Sequence, residues 1–336
     1  MQTNRAALIH RYGGNDLVRL EEVPPPTAGP GEMVVAVHAA SVNPVDFKIR
    51  EGKTKVLLPY RFPLILGNDL SGEVVSVGPG VTRFRPGDAI FTRLDKDRIG
   101  AFTDLALVRE SAAAKKPDNL SHEEAASIPL VGLTAWQALR DLGGLQAGQK
   151  VLIHAGPGGV GTFAIQLARH LGATVATTAS ARNTELVQRL GADVIIDYKT
   201  TPFETVVRDY DMVFDTQGGD TLLRSFQVVR RGGVIVSVGG NPDGKFARAW
   251  GLNPLLVAIL GLMSFRVTRA ARRGGVRYEY LFMRASGEQL GEIGALLSQG
   301  IIKPVIDRVF PFDEVREALA YVEAGKAVGK VVVKIR

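Results

Sequence analysis

The fold of this chain is decided by the stretch Val151-Leu152-Ile153-His154-Ala155-Gly156-Pro157-Gly158-Gly159-Val160-Gly161. It begins as a short apolar strand, passes through glycines and continues as an amphipathic helical pattern. Gly156, Gly158 and Gly161 fit the spacing G-x-G-x-x-G between a strand and a helix, the context that gives this pattern its meaning. Glycines let the backbone approach a pyrophosphate, and the N-terminus of the helix offers unpaired N–H groups. The stretch therefore predicts a dinucleotide-binding loop.

A second apolar segment, residues 173–178, follows the predicted helix and completes a βαβ unit. Apolar segments then alternate with helical patterns as far as about residue 286, which predicts an α/β fold with a doubly wound parallel sheet. The predicted strands of this sheet lie near residues 151–155, 174–178, 194–197, 212–216, 234–239 and 276–282.

The end of the second predicted strand indicates which dinucleotide is bound. An NAD site usually carries Asp or Glu about 20 residues beyond the glycines. This chain has Ser180, Arg182 and Asn183 there instead, and no acid. A hydroxyl, a guanidinium and an amide suit a 2′-phosphate, so we expect NADPH. In the alternative, Ser180 is only a helix N-cap and Arg182 a solvated side chain.

Composition excludes several classes of site. The chain has 336 residues and no cysteine, which excludes disulfides, thiolate catalysis and cysteine-ligated zinc or iron–sulfur clusters. The net charge of +7 is modest, but five arginines crowd into residues 266–277. No nucleic-acid module accompanies them, so we expect no nucleic-acid partner. The first ten residues show no secretory signal pattern, and we expect a cytoplasmic protein.

The chain divides into three segments that differ in their pattern of predicted strands and helices. Residues 1–123 are rich in short strands separated by Pro and Gly turns, which predicts a compact barrel. Residues 124–286 hold the βα alternation. The tail, residues 287–336, is too small to fold alone and ends in a strand, so we expect it to return to the first segment and make that domain discontinuous.

Motifs along the whole chain resemble the medium-chain dehydrogenase/reductase superfamily, in its zinc-independent quinone oxidoreductase and enone reductase branch. They are Ala40-Ser41-Val42-Asn43-Pro44-Val45-Asp46, Leu66-Gly67-Asn68-Asp69-Leu70-Ser71-Gly72, Gly132-Leu133-Thr134-Ala135-Trp136, the glycine loop, Phe214-Asp215-Thr216-Gln217-Gly218-Gly219 and Gly329-Lys330-Val331-Val332-Val333. The resemblance implies a Rossmann domain for residues 124–286 and a discontinuous GroES-like catalytic domain for residues 1–123 and 287–336.

The resemblance also bears on metal binding. Zinc-dependent relatives place a cysteine and a histidine on a catalytic metal where this sequence has Asn43 and Asn68. Neutral amides are poor zinc ligands, and the five histidines lack ligand spacing. We therefore expect no metal, and chemistry that runs without one.

The segment that faces the nicotinamide in relatives contains Asn43, Asp46 and Lys48, which are the catalytic candidates. In similar plant enone reductases a lysine at the position of Lys48 is associated with the substrate carbonyl. Lys48 as a solvated lysine and Asp46 as a helix or loop anchor are the alternatives. Tyr60 and Asn68 are candidate substrate neighbours, and the expected site is the cleft between the two domains.

The cofactor residues follow from the motifs and the resemblance. They are Thr134, Gly156, Gly158, Gly159, Val160, Gly161, Ser180, Arg182, Asn183, Tyr198, Thr216, Gly239, Phe282, Met283 and Lys330. Tyr198 would join Ser180 and Arg182 around the 2′-phosphate, and Lys330 would close on the cofactor.

These expectations combine into one reading. We expect hydride transfer from NADPH to a quinone or an α,β-unsaturated carbonyl compound, in a homodimer paired through the strand near residues 276–282. The alternative is an NADPH-binding structural or assembly protein with little turnover. Residues 250–265 are uncharged and precede the arginine cluster, which leaves open a lid, a dimer contact, or weak contact with an anionic membrane surface.

Overall fold

The computed structural model describes residues 3–336, which form two compact units. One unit contains the residues up to Leu133 together with Arg284–Arg336, and the other is Thr134–Met283. The strands are β1 (Asn4–Ile9), β2 (Arg19–Val23), β3 (Glu32–Val42), β4 (Leu64–Ile65), β5 (Asp69–Val77), β6 (Ala89–Arg93), β7 (Leu105–Arg109), β8 (Ala113–Lys115), β9 (Lys150–Ile153), β10 (Thr174–Ala179), β11 (Val194–Asp197), β12 (Tyr210–Asp215), β13 (Val229–Ser237), β14 (Arg277–Tyr280), β15 (Ile306–Pro311) and β16 (Lys330–Lys334).

The helices are numbered in the same way. They are α1 (Pro44–Arg50), α2 (His122–Ala126), α3 (Pro129–Trp136), α4 (Gly159–His170), α5 (Thr184–Arg189), α6 (Gly219–Ser225), α7 (Gly244–Ala249), α8 (Pro254–Met263), α9 (Phe265–Gly274), α10 (Gly287–Ser298) and α11 (Val315–Glu323). Single 3-10 turns lie at Asn15–Leu17, Glu110–Ala112, Ala181–Asn183, Phe203–Thr205 and Phe312–Glu314.

The unit Thr134–Met283 is built on a six-stranded sheet in the order β11-β10-β9-β12-β13-β14. Every neighbouring pair is parallel, which confirms the doubly wound sheet predicted from the alternation. Val151, Leu152 and Ile153 of β9 are fully buried because both faces of a parallel sheet are covered. The strand order reverses beside β9, and ligands of such sheets bind at this switch point.

The other unit is built around β3. This 11-residue strand pairs with β5, β7 and β16, and it lies inside a seven-stranded sheet. A smaller sheet has the order β2-β1-β4. The last strand, β16, runs antiparallel to β3, with Val331 opposite Val42. The tail of the chain is therefore part of the core of this unit.

One helix changes form along its length. Helix α3 continues directly into a π-helix, Gln137–Leu142. In this last turn Gly143 N–H donates to the carbonyl of Ala138 at 2.8 Å, five residues earlier. A β-carbon on Gly143 would lie 2.5 Å from the sulfur of Met212, so the wide turn brings the backbone directly onto the sheet.

Most of the uncharged residues 250–265 and the first four of the arginines after them lie in the helices α8 and α9, which meet at a bend of 63°. Among residues 3–336, no single helix is long and apolar enough to cross a membrane. This bent pair passes the same test by length and composition only.

The packing of α10 on β8 generates a prediction with an internal control. A β-carbon on Gly287 would lie 2.3 Å from the carbonyl oxygen of Ala113, whereas one on Gly291 would have no neighbour within 4 Å. We expect Gly287→Ala to lower the free energy of unfolding by about 1–3 kcal/mol through overpacking. Gly291→Ala should raise it by about 1 kcal/mol, because alanine favours the helix. Urea unfolding of the two variants measures both changes, and equal signs would contradict this packing.

Candidate active site

A buried polar network lies where β3 passes into α1. Asn43 donates its backbone N–H to Asp46 Oδ2 at 2.7 Å, and Asn68 Nδ2 donates to Asp46 Oδ1 at 2.6 Å. All three side chains are at most 1% exposed. Three predicted site residues are thus brought together, with Asp46 tying the start of α1 to the segment before β5.

Asp69 is a member of this network that the sequence analysis missed. Its Oδ1 accepts hydrogen bonds from Ser41 Oγ at 2.7 Å and Asn43 Nδ2 at 2.8 Å. Its Oδ2 accepts from the N–H of Leu130 at 3.0 Å. Asp69 stands beside Asn68 in a quoted motif, and an acid at the start of a strand was the available signal; the structure buries the first four residues of this strand. It fixes the orientation of Asn43.

Lys330 supplies the positive charge of the network. The sequence analysis assigned it to the cofactor, and the structure places it against Asn43. Its Nζ donates to the carbonyl of Val42 at 3.2 Å and also to Asn43 Oδ1. The side chain is 5% exposed, so its ammonium is a buried counter-charge for Asp46 and Asp69. Buried charges persist only when they are paired in this way.

Burial changes the acid–base behaviour of all three charged groups. It raises the pKa of Asp46 to about 7, against the opposing effect of the hydrogen bonds from Asn68 and Asn43. It also raises the pKa of Asp69, and it lowers the pKa of Lys330. Each shift disfavours the charged form, as expected for ionisable groups removed from water. Asp46 can therefore gain or lose a proton near neutral pH.

Two other predicted residues lie outside the network. Lys48 is exposed on α1. Tyr60 donates its hydroxyl to the carbonyl of Lys96 at 2.6 Å, and burial raises the pKa of this phenol above its ordinary value. The structure adds Arg93, which is 4% exposed and whose Nε has no hydrogen-bond partner among residues 3–336. Its charge acts on Tyr60, so a basic group accompanies the predicted substrate neighbour.

The donor set at the family's metal position does not suit zinc. Asn43 uses its amide nitrogen for Asp69 and its amide oxygen for the ammonium of Lys330. Asn68 is committed to Asp46 through its nitrogen. Zinc in proteins takes Cys, His and carboxylate ligands, and a buried ammonium in contact with Asn43 would repel a second cation.

The glycine loop of the other unit has the shape that a pyrophosphate needs. A β-carbon on Gly156 would meet Thr177 Oγ1 at 2.2 Å, and one on Gly161 would meet the carbonyl of Ala155 at 2.4 Å. These two glycines are required by internal packing. A β-carbon on Gly158 would have a single neighbour within 4 Å, the carbonyl of Ala155 at 3.3 Å, so internal packing constrains this glycine less than the other two. A glycine at this position also lets a phosphate approach the backbone.

The loop is held rigidly at the end of β9. Ala155 has a left-handed backbone with φ of 53°, a conformation that alanine rarely adopts. Its N–H donates to Thr178 Oγ1 at 2.9 Å, and Gly156 N–H donates to the Thr178 carbonyl at 3.1 Å. Helix α4 then begins at Gly159, and first-turn N–H groups such as that of Val160 have no partner inside a helix. They are the donors that a pyrophosphate would use.

The residues predicted around the 2′-phosphate meet at the ends of β10 and β11. Ser180 is 6% exposed and accepts a hydrogen bond from Asn183 Nδ2 at 3.3 Å. Tyr198 N–H donates to the carbonyl of Ala179 at 3.3 Å, which places Tyr198 beside Ser180. Arg182 is exposed. The sequence analysis missed Lys199, a second exposed cation that follows Tyr198.

The predicted nicotinamide side of this unit is organised by Asp215, another residue that the sequence analysis did not single out. Asp215 accepts from Ser237 Oγ at 2.6 Å and from Gly218 N–H at 3.1 Å, which joins the ends of β12 and β13. Thr216 donates its hydroxyl to the His154 carbonyl at 3.2 Å. A β-carbon on Gly239 would lie 2.7 Å from the backbone nitrogen of Gly218, so these two loops touch.

The remaining predicted cofactor residues, Phe282, Met283 and Thr134, are described by their burial and packing. Phe282 is half-buried and packs edge-on against Trp250, with ring centroids 4.6 Å apart. Met283 is half-buried, and Thr134 is buried in α3.

Comparisons with known proteins agree with this arrangement. Residues 29–118 match a family model described as an alcohol dehydrogenase GroES-like domain, and residues 190–333 match one described as a zinc-binding dehydrogenase. The chain is 36% identical over 98% of its length to a Danio rerio protein named NAD(P)H oxidoreductase RTN4IP1, mitochondrial, of which it covers 91%. It is 33% identical over 98% of its length to an Arabidopsis thaliana protein named NADPH-dependent alkenal/one oxidoreductase, chloroplastic, of which it covers 79%. The solved structure of the quinone oxidoreductase from Coxiella burnetii has a TM-score of 0.87 to this chain at 33% identity, with 100% of both chains covered.

The raised pKa of Asp46 predicts how stability depends on pH. The folded protein keeps this proton up to about pH 7, whereas the ordinary value for Asp is 3.8. Its contribution to stability is therefore complete at pH values below the ordinary value and is lost as the pH rises through about 7. We expect the difference in free energy of unfolding between the wild type and Asp46→Asn to fall by on the order of 2 kcal/mol between about pH 5 and pH 8.

Urea unfolding at both pH values measures this difference. The constant cost of the altered hydrogen bonds cancels in the comparison. A difference that stays the same, or that grows with pH, would contradict a protonated Asp46 in the folded state.

Proposed function

The chain belongs to the quinone oxidoreductase branch of the medium-chain dehydrogenase/reductase superfamily, and from this premise we propose that it transfers a hydride from NADPH to a quinone or an α,β-unsaturated carbonyl compound. The observation that carries the proposal is the occupation of the metal position by two amides. Asn43 and Asn68 are held by carboxylates and by Lys330, in place of zinc ligands. Without a Lewis acid, alcohol oxidation is hard, whereas reduction of an electron-poor acceptor stays accessible.

The glycine loop supports the cofactor part of the proposal. When bound, NADPH would supply the hydride. Gly158, Gly159 and Val160 would hold its pyrophosphate at the start of α4, because the first-turn N–H groups of a helix have no partner inside it and Gly158 has no side chain to block the approach. Ser180 and Arg182 would hold the 2′-phosphate. Relatives that are named NADPH-dependent or NAD(P)H oxidoreductases agree with a nicotinamide cofactor.

The acceptor part of the proposal rests on charge. Hydride addition to an enone or a quinone leaves negative charge on the acceptor oxygen, and a donor at that oxygen stabilises the transition state. Lys48 is our candidate for this donor because its side chain is exposed and it follows the buried Asp46 by two residues on the same helix. The network of Asn43, Asp46 and Asn68 holds α1 in place and thereby positions Lys48.

Further parts of the sequence-based reading stay predictions. The homodimer would pair β14 with its copy, since β14 is an edge strand of the six-stranded sheet. The cytoplasmic location also stays a prediction, since relatives carry mitochondrial and chloroplastic names.

Steady-state turnover tests the proposed function. NADPH oxidation should be measured with a panel of quinones, enones and simple aldehydes, and we expect turnover with the first two classes. We expect Lys48→Ala to lower kcat by about 10²–10³, the usual effect of removing one such donor, while the Kd for NADPH changes little. Lys326→Ala, at another exposed lysine, is the control.

Two results would contradict the proposal. NADPH binding without turnover of any acceptor would favour the structural or assembly role instead. Full kcat in Lys48→Ala with every acceptor would remove Lys48 from the chemistry.

Cofactor preference gives a separate prediction. A charge-assisted hydrogen bond contributes about 1.5–3 kcal/mol, so Arg182→Ala should weaken NADPH binding by roughly ten- to a hundredfold. The affinity for NADH, which lacks the 2′-phosphate, should barely change. Fluorescence titration with both cofactors measures this, with the exposed Arg208→Ala of the same unit as control. Equal losses for both cofactors would show that Arg182 does not contact the 2′-phosphate.

A further inference from the structure

The helix pair formed by α8 and α9 carries an apolar surface that nothing else within residues 3–336 covers. No residue of α8 is buried, and its sequence contains no charge. The exposed side chains are Leu255 at 70%, Ile259 at 44%, Leu262 at 77%, Met263 at 55% and, at the corner, Phe265 at 54%. Spacings of four, three and one residues place those of α8 on one side of the helix. Such a cluster on a soluble protein marks an interaction site.

The second helix of the pair is strongly basic on its outer side. Arg266, Arg269, Arg272 and Arg273 are exposed, and among residues 3–336 none of them has an acidic partner. The opposite side of α9 packs on the sheet, where Ala271 is buried in the core of the unit. The arginines therefore cannot turn inward, and their charge is available to something outside the chain.

The corner between the helices joins the two properties. Ser264 is buried and donates its hydroxyl to the Leu260 carbonyl at 2.8 Å, where the axis bends by 63°. Phe265 stands at this corner between the apolar and the basic helix. Arg248 and Arg272 line a cavity beside it. Since neither helix is long enough to span a bilayer, the pair has the features of a segment that lies in a membrane interface.

We propose that α8 and α9 form a docking surface for an anionic lipid bilayer, with the apolar side of α8 entering the interface and the arginines of α9 contacting lipid headgroups. The charge decides between a bilayer and a second copy of this chain. A two-fold dimer would bring this surface against its own copy, which offers the arginines no acidic partner because neither α8 nor α9 contains Asp or Glu. An anionic bilayer offers apolar depth and negative charge together. This inference is independent of the proposed reaction.

Vesicle co-sedimentation tests the inference on the full-length protein. The probes are vesicles of phosphatidylcholine alone and of equimolar phosphatidylcholine and phosphatidylglycerol, at low and high salt. We expect binding to the anionic vesicles only, and weaker binding at high salt because surface charge is screened. Each arginine near an anionic surface changes binding by about fivefold, so Arg269→Gln/Arg273→Gln should weaken it by roughly 25-fold.

Two further variants complete the design. Leu255→Ser/Leu262→Ser should weaken binding by roughly tenfold or more, because less apolar surface enters the bilayer while the charge is unchanged. Val206→Ser/Arg208→Gln changes the same residue classes at exposed positions elsewhere in the same unit, and it should bind like the wild type. Circular dichroism and NADPH affinity verify that each variant is folded.

Three outcomes would overturn the inference. One is no binding to anionic vesicles at low salt. Another is an equal loss in the control variant and the test variants. The third is a change of molecular mass by light scattering in Leu255→Ser/Leu262→Ser without lipid binding by the wild type, which would assign this surface to a second copy of the chain.

Discussion

One buried arrangement of charges governs the first unit: two carboxylates, Asp46 and Asp69, share the environment of a single ammonium, Lys330. The three residues come from α1, β5 and β16, and Asn43 bonds to each of them. Removing such groups from water is costly, so the arrangement persists only while every partner is in place. The end of β3, the start of α1 and the last strand are therefore fixed together, and the candidate catalytic segment inherits that rigidity.

The fold was largely predictable from the sequence because its signals are local. The strand, glycines and helix around Gly156 follow one another without interruption, and the same alternation recurs along residues 151–282. Parallel strands buried on both faces are apolar throughout, as Val151 to Ile153 are, so periodicity and length identify them. The tail carries a local signal of the same kind. Residues 331–333 form an apolar run too short to bury itself, so it must pair with another part of the chain.

The candidate site was only partly predictable because its chemistry depends on contacts between distant residues. Asn43, Asp46 and Asn68 could be selected by motif. That Lys330 contacts Asn43, across 287 positions of sequence, could not be derived from any local pattern. The same limit applies to Arg93 and Asp215, whose importance lies in burial and hydrogen bonding. The exposed state of Lys48 also emerges only when the faces of α1 are known.

The position of β16 has a consequence for synthesis on the ribosome. Residues 134–283 are synthesised before residues 330–334, so the parallel sheet has all its strands while β16 is still being made. The seven-stranded sheet lacks β16, and its buried acids lack their ammonium, until residues 330–334 have left the exit tunnel. Domains generally fold as units during synthesis. Here the unit whose first strands are made first stays incomplete longest, because one flank of β3 remains open until β16 has been made.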